Sequence, residues 1–209
     1  MLVIGLTGGI ASGKSTVSRY LRERGAVIID ADTLAKELVA QGTPAWQEIV
    51  AFFGSQVLDE AGNIDRKRLA QIIFADPQAR SKLNSIVHPK VIETTKKRIR
   101  ELKDNDNVPL IVVDAPLLIE AGMTDLVDEV WVVAVPVQEQ LNRLVFRDKL
   151  SKEEAIKRIY SQMPLAEKLT YADRIIDNSG SMEETLKLLD SLWKEIVHDR
   201  KKENCPHCP

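Results

Sequence analysis

Five apolar runs, each closed by glycine, an acid or proline, divide this chain, and stretches of helical period fill the intervals. Leu2-Val3-Ile4-Gly5-Leu6-Thr7 breaks into glycines. Ala26-Val27-Ile28-Ile29 closes on Asp30 and Asp32, and Leu110-Ile111-Val112-Val113 on Asp114. Glu129–Pro136 gives another run, and Ala172–Asn178 a short last one before Ser179-Gly180. Runs that are apolar at nearly every position predict strands buried on both faces, so the pattern predicts a parallel sheet with right-handed crossovers.

Between the runs the period changes. Val17, Tyr20 and Leu21 stand at i, i+3 and i+4, and Gly25 stops that helix. From 33 to 106 the pattern is helical throughout. Thr43-Pro44 opens a helix that Gly54 closes, Asp65 caps the next over Leu69, Ile72 and Ile73, Asp76-Pro77 restarts it, and His88-Pro89 predicts another break. Two helices span 138–150 and 152–159, the second capped by Ser151, and an amphipathic helix from Met182 to about Val197 offers Leu186, Leu189, Trp193 and Ile196 to the sheet. No segment repeats.

At 209 residues, 44% hydrophobic and 29% charged with a net charge of −2, the chain fits one core plus a small inserted subdomain. The balance predicts no nucleic-acid partner, because any basic site must be local. No apolar run reaches membrane-spanning length and Met1 leads straight into a strand, so a cytoplasmic protein without a membrane partner is expected. Nothing here sets an oligomeric state. Cys205 and Cys208 form a terminal C-x-x-C beside His207, which predicts a frayed, metal-optional tail over 198–209 rather than a four-ligand zinc site.

The candidate chemistry starts at the first break. Gly8-Gly9-Ile10-Ala11-Ser12-Gly13-Lys14-Ser15-Thr16 fits G-x-x-x-x-G-K-[ST] at a strand-to-helix junction. In this motif backbone N–H groups and a helix N-terminus wrap a polyphosphate, the lysine reaches its terminal phosphates, and the hydroxyl ligates Mg²⁺. Asp30 and Asp32 fall at the carboxyl end of the second run, where α/β sheets place ligands. Asp30 suits a helix cap and Asp32 a catalytic carboxylate, since a phosphoryl acceptor must lose a proton. Asp114 follows the Walker B pattern, in which the acid supports Mg²⁺ directly or through water. Arg66 and His88 stand at expected helix boundaries, where a side chain either caps or enters a cleft. Arg143 and Arg147 lie four apart on one helix face, as a lid over a triphosphate requires.

Taken in order, these segments resemble the dephospho-coenzyme A kinase family from about residue 2 to residue 197. The resemblance rests on Leu6–Thr16, Ile29–Asp32, Asp65-Arg66 with Leu69 and Phe74, His88-Pro89, Pro116–Glu120, Gln140–Arg143 with Arg147-Asp148, and Asp177–Gly180. It implies an α/β fold: a three-layer P-loop NTPase core with a parallel sheet (1–32, 107–137 and 166–197), a helical acceptor-binding insertion (33–106) and a small helical lid (138–165). It also implies transfer of the ATP γ-phosphoryl group to the ribose 3′-hydroxyl of dephospho-CoA. On that pattern Asp32 is the base, with Lys14 and Arg143 catalytic. Gly8, Gly9, Ala11, Ser12, Gly13, Lys14, Ser15, Thr16, Arg143, Arg147 and Asn178 would bind ATP, with Ser15 on Mg²⁺. Thr7, Asp32, Arg66, His88 and Leu117 would meet dephospho-CoA. The rivals are a nucleoside or nucleotide kinase of the same architecture and a GTP-dependent switch. Against the switch, the sequence contains no guanine-reading N-K-x-D, and Asp177-Asn178-Ser179 is not one.

Overall fold

The computed structural model describes residues 1–105 and 108–203, with side chains described to Ile196 in the last helix. Cys205 and Cys208, and with them the expected metal-optional tail, lie outside the described residues. The chain divides into two compact units, Met1–Ile29 with Leu102–Pro209, and Asp30–Glu101.

The first unit is built on five strands: β1 (Val3–Gly8), β2 (Val27–Asp30), β3 (Ile111–Asp114), β4 (Glu129–Ala134) and β5 (Arg174–Asp177). Their order is β2-β3-β1-β4-β5, and β1 runs parallel to β3 and β4, as β4 does to β5. The first strand is therefore central. Alternate residues serve opposite faces. Ile4, Leu6, Leu110, Val112, Trp131, Val133 and Ile176 pack with Val17, Tyr20 and Leu21 of α1 (Lys14–Glu23) and Leu189, Leu192 and Ile196 of the last helix. Full burial of each such side chain stabilises by about 1.5–3 kcal/mol. On β1 the intervening Val3, Gly5 and Thr7 are buried too, and a Cβ at Gly5 would meet Leu118 at 2.6 Å. This is the two-faced burial that the unbroken apolar runs predict.

The second unit holds α2 (Ala31–Leu38), α3 (Pro44–Phe53), α4 (Arg66–Ala75) and all but the last residues of α5 (Pro77–Lys103). It has its own core of Ala45, Ile49, Phe53, Val57, Leu69, Ala79 and Ile86. The expected caps are in place. Thr43 accepts from Trp46 N at 3.2 Å ahead of Pro44, and Asp65 accepts from Lys67 N and Arg68 N at 2.9 and 3.1 Å.

Two local expectations are corrected. His88-Pro89 does not break the helix: α5 runs continuously through it, with Pro89 exposed and Ile86 and Val91 buried on either side. Packing of that buried face offsets the lost N–H and keeps the segment helical. Likewise the second strand ends at Asp30, and Asp32 lies in the first turn of α2 instead of on the strand end. Asp30 accounts for the shift, because its carboxylate accepts from Thr33 N at 2.9 Å and starts the helix two residues earlier than expected.

The chain continues through α6 (Val137–Asp148), α7 (Lys152–Tyr160), α8 (Leu165–Leu169) and α9 (Met182–Glu203). Ser151 and Glu154 form a reciprocal capping box on α7. Short α8, before β5, is absent from the sequence expectation. Among the described residues no helix is long and apolar enough to cross a membrane.

A polar staple joins α1 to α9. The Tyr20 hydroxyl donates to Asp190, and the Arg24 guanidinium lies 3.5 Å from the ring centroid and donates to Asp190 at 2.7 Å. Burial first, then the bond to Asp190, pushes the Tyr20 phenol up to about 12. A raised pKa means that folding favours the neutral phenol. This contribution is complete below the ordinary value of about 10 and disappears as pH rises through about 12. In an ultraviolet titration of phenolate, Tyr20 should give a late step near pH 12. The Tyr20→Phe variant should lack that step. A wild-type curve with no late step would contradict the staple.

Candidate active site

The site is built from the carboxyl end of the central strand. After Gly8 the chain turns through Gly9–Ser12 and enters α1 at Gly13, whose φ is +88°. Ala11 also takes a positive φ, +58°. Successive residues of alternating hand form a backbone concavity suited to anions. No side chain caps α1, whereas Asp30, Thr43, Asp65 and Ser151 cap their helices. An uncapped N-terminus at the end of a central strand can receive an anion on its amides and its positive dipole end.

Two distant side chains brace the loop from its carbonyl side. Asn178 Nδ2 donates to Ser12 O at 2.7 Å, and Arg143 Nη1 donates to Ala11 O at 3.2 Å and Ser12 O at 3.4 Å. Arg143 Nη2 donates to Asn178 O at 2.8 Å, which closes the triangle. Asn178 is itself oriented from behind. Its Oδ1 accepts from buried Thr185 Oγ1 at 2.9 Å, and the flanking turn is fixed by Asp177 on Ser179 and by Ser181 with Glu184. The Ser179 hydroxyl and amide hold the Asp177 carboxyl below the usual range, and Ser181 does the same for Glu184. Close packing and a positive φ both explain the glycine at 13, where a Cβ would lie 2.1 Å from Asn178 Nδ2.

The charges are local. The register pairs Leu6 with Asp114, so the end of β3 arrives beside the loop, and Lys14 Nζ forms an ion pair with the Asp114 carboxylate. Both side chains are largely buried, at 18% and 10% exposure, where such a pair is stronger than on the surface. Ser15 is exposed on the first turn of α1. Its hydroxyl and the Asp114 carboxylate are hard oxygen donors, and Mg²⁺ in phosphate sites takes one or two protein oxygens along with phosphates and water. This donor set fits Mg²⁺. Among the described residues no three His, Cys, Asp or Glu side chains gather as a metal site on their own.

The remaining expected residues fall as follows. Thr7, buried on β1, donates from Oγ1 to Pro116 O at 3.0 Å, and Leu117 is half-buried in the loop after β3. Arg147 is exposed and ion-paired with Asp148 at 2.7 Å, and it holds that carboxyl below the usual range. Leu144, Ala155 and Ile159 of α6 and α7 form a small cluster on which Ile10 and Ala11 pack. In the 30–101 unit, Asp32 is exposed on α2, Arg66 is exposed at the first position of α4, and His88 is half-buried within α5.

Sequence reasoning passed over Lys168, Gln162 and Thr185. Lys168 is fully buried, with Nζ 2.7 and 2.8 Å from the two Glu120 oxygens, and Gln162 Oε1 accepts from Ile10 N at 2.9 Å. Only the Glu120 half of that pair stands in a segment the family resemblance singles out.

A family model described as Dephospho-CoA kinase matches residues 2–184. The Dephospho-CoA kinase of Carboxydothermus hydrogenoformans is 53% identical over 195 residues, which cover 92% of this chain and 94% of that protein. That of Geobacter metallireducens is 51% identical over 197 residues, covering 94% and 98%. Among solved structures, the dephospho-CoA kinase from Campylobacter jejuni is 30% identical with a TM-score of 0.69, over 95% of this chain and 98% of that one. A shikimate kinase from Acinetobacter baumannii, 17% identical with a TM-score of 0.50 over 95% of this chain and 94% of its own, shares the fold.

Gly13→Ala combines a positive φ with a clash against Asn178. It should lower unfolding free energy in urea by about 1–3 kcal/mol and weaken nucleotide binding in calorimetry. Wild-type values for both would show that the loop does not depend on this backbone.

Proposed function

The chain belongs to the dephospho-CoA kinase family, and from that premise we propose how its residues transfer the γ-phosphoryl group of ATP to the ribose 3′-hydroxyl of dephospho-CoA. The products are coenzyme A and ADP. The observation that carries the assignment of roles is the uncapped start of α1 at Gly13, with Lys14 beside it held on Asp114.

The triphosphate lies along the loop amides from Gly8 to Thr16. Lys14 exchanges Asp114 for the terminal phosphates, which moves a positive charge onto the group where negative charge spreads during transfer. Mg²⁺ when bound neutralises charge on the phosphates; Ser15 would hold it, with Asp114 the carboxylate that the sheet register brings to the same loop. Arg143 acts from its place on the Ala11, Ser12 and Asn178 carbonyls, where it keeps the loop in shape and its charge near the nucleotide. Asn178 belongs to the adenine end. Arg147, on the 138–165 segment, closes over ATP as part of a lid.

On the acceptor side, Asp32 is the general base. An alcohol is a weak nucleophile at neutral pH, so a carboxylate must orient the 3′-hydroxyl and take its proton late in the transfer. It stands in the first turn of α2. Thr7, Arg66, His88 and Leu117 hold dephospho-CoA, with 33–106 as the acceptor-binding part of the chain. The enzyme works in the cytoplasm, beside its ATP supply.

Mass spectrometry of dephospho-CoA incubated with enzyme and Mg·ATP should find one added phosphate on its ribose, with AMP and CMP unmodified. Asp32→Asn should lower kcat by about two orders of magnitude with ATP affinity nearly unchanged. An unaltered kcat would remove Asp32 from the role of base.

A further inference from the structure

The turn between α7 and α8 closes the 138–165 segment, and no step above uses its side chains, yet its bonds reach two different loops of the site. Gln162 Oε1 accepts the Ile10 N–H of the nucleotide loop at 2.9 Å. The next residue, Met163, donates its N–H to Glu120 Oε1 at 3.1 Å. Five residues on, Lys168 sits at 0% side-chain exposure with Nζ on both Glu120 oxygens and, at 3.1 Å, on Pro116 O. That same carbonyl accepts from Thr7 Oγ1. A single path thus runs by hydrogen bonds from Ile10 to Gln162, along the chain to Met163, and by hydrogen bonds again through Glu120 and Lys168 to Pro116 and Thr7.

A fully buried ammonium is an expensive way to fill space. A buried ion pair adds little stability over well-packed apolar residues of similar volume, but it fixes direction through several bonds at once. Here all three acceptors of Lys168 lie in the 116–120 loop, and the other end of the path lies on the nucleotide loop. We propose that Lys168 is a positioning residue for phosphoryl transfer. Through Glu120 and Pro116 it holds the 116–120 loop against Thr7, while Gln162 fastens the same turn to Ile10, so the two loops are set in register by one strut. The proposal rests on the reading of Thr7 and Leu117 as acceptor-side residues.

The test compares Lys168→Met, Glu120→Gln, Gln162→Leu and Leu117→Ala by steady-state kinetics in both substrates and by thermal melting. Misplacing the acceptor-side loop should lower kcat/KM for dephospho-CoA by about tenfold to a hundredfold in Lys168→Met, with the KM for ATP changed less than about twofold. Glu120→Gln keeps an acceptor for Met163 but removes the charge, and should show the same split at smaller size. It carries the test if Lys168→Met does not fold. Gln162→Leu should add less to Lys168→Met than it costs alone, because the two act on one strut. A lower melting temperature with unchanged kinetic constants, or a loss shared equally by both substrates, would overturn the proposal. Leu117→Ala separates the two readings. If it lowers kcat/KM for dephospho-CoA while Lys168→Met does not, the strut alone fails; if Leu117→Ala leaves that ratio unchanged, the acceptor-side reading fails.

Discussion

The site depends on one constraint: the loop after β1 must turn its amides toward an anion, and its carbonyls must then be satisfied from elsewhere. Ala11 and Gly13 at positive φ supply the turn, and Asn178 and Arg143 take up the carbonyls of Ala11 and Ser12. Buried backbone oxygens left unpaired would cost about 1–3 kcal/mol each, so the braces belong to the loop's structure as much as its own glycines do. They also fix its shape, and a preformed polar site is the condition for charge stabilisation without reorganisation.

The fold delivers those braces. Asn178 follows β5, next to β4, which is next to β1, so the sheet order carries a residue 165 positions beyond Gly13 to the loop's flank. The Asp177–Ser179 and Ser181–Glu184 turns and the Thr185 hydroxyl set its rotation. On the other side of β1, the register with β3 places Asp114 where Lys14 can reach it. Lys14 is thus kept ion-paired, with both side chains largely buried.

Much of this frame was legible in the sequence for a simple reason: buried parallel strands are apolar at every position, and the phosphate motif fixes the first strand, the loop and α1 together. All five strands fall on the predicted runs, β1 running one residue further to Gly8, and the Thr43, Asp65 and Ser151 caps act as their side-chain chemistry predicts. Local rules failed where distant contacts decide. Proline predicted a break at His88-Pro89, yet α5 continues through it with Ile86 and Val91 buried on either side. Asp30 drew the helix back over Asp32. Lys168 stayed hidden because a lysine in a short charged segment looks like solvent-facing surface, and nothing local tells that Glu120, 48 residues away, will meet it.

The division between what makes the fold and what makes the site also follows from magnitudes. Apolar side chains around the sheet each contribute about 1.5–3 kcal/mol on burial, whereas a typical net hydrogen bond gives about 0.5–1.5 kcal/mol. The cluster around Trp131, Leu6 and Leu189 and the separate cluster around Ile49 and Phe53 therefore supply most of the stability of their units. The polar groups gathered at the carboxyl ends of β1, β3 and β5 add less to stability and far more to direction. A carboxamide on a carbonyl or a lysine on a carboxylate has few productive geometries, and a reaction that requires two oxygens in line with one phosphorus is sensitive to small errors in each. The apolar clusters can thus hold the chain together, while the bonds of Asn178 and Arg143 to the Ala11 and Ser12 carbonyls and of Lys14 to Asp114 set the direction of the groups around the loop.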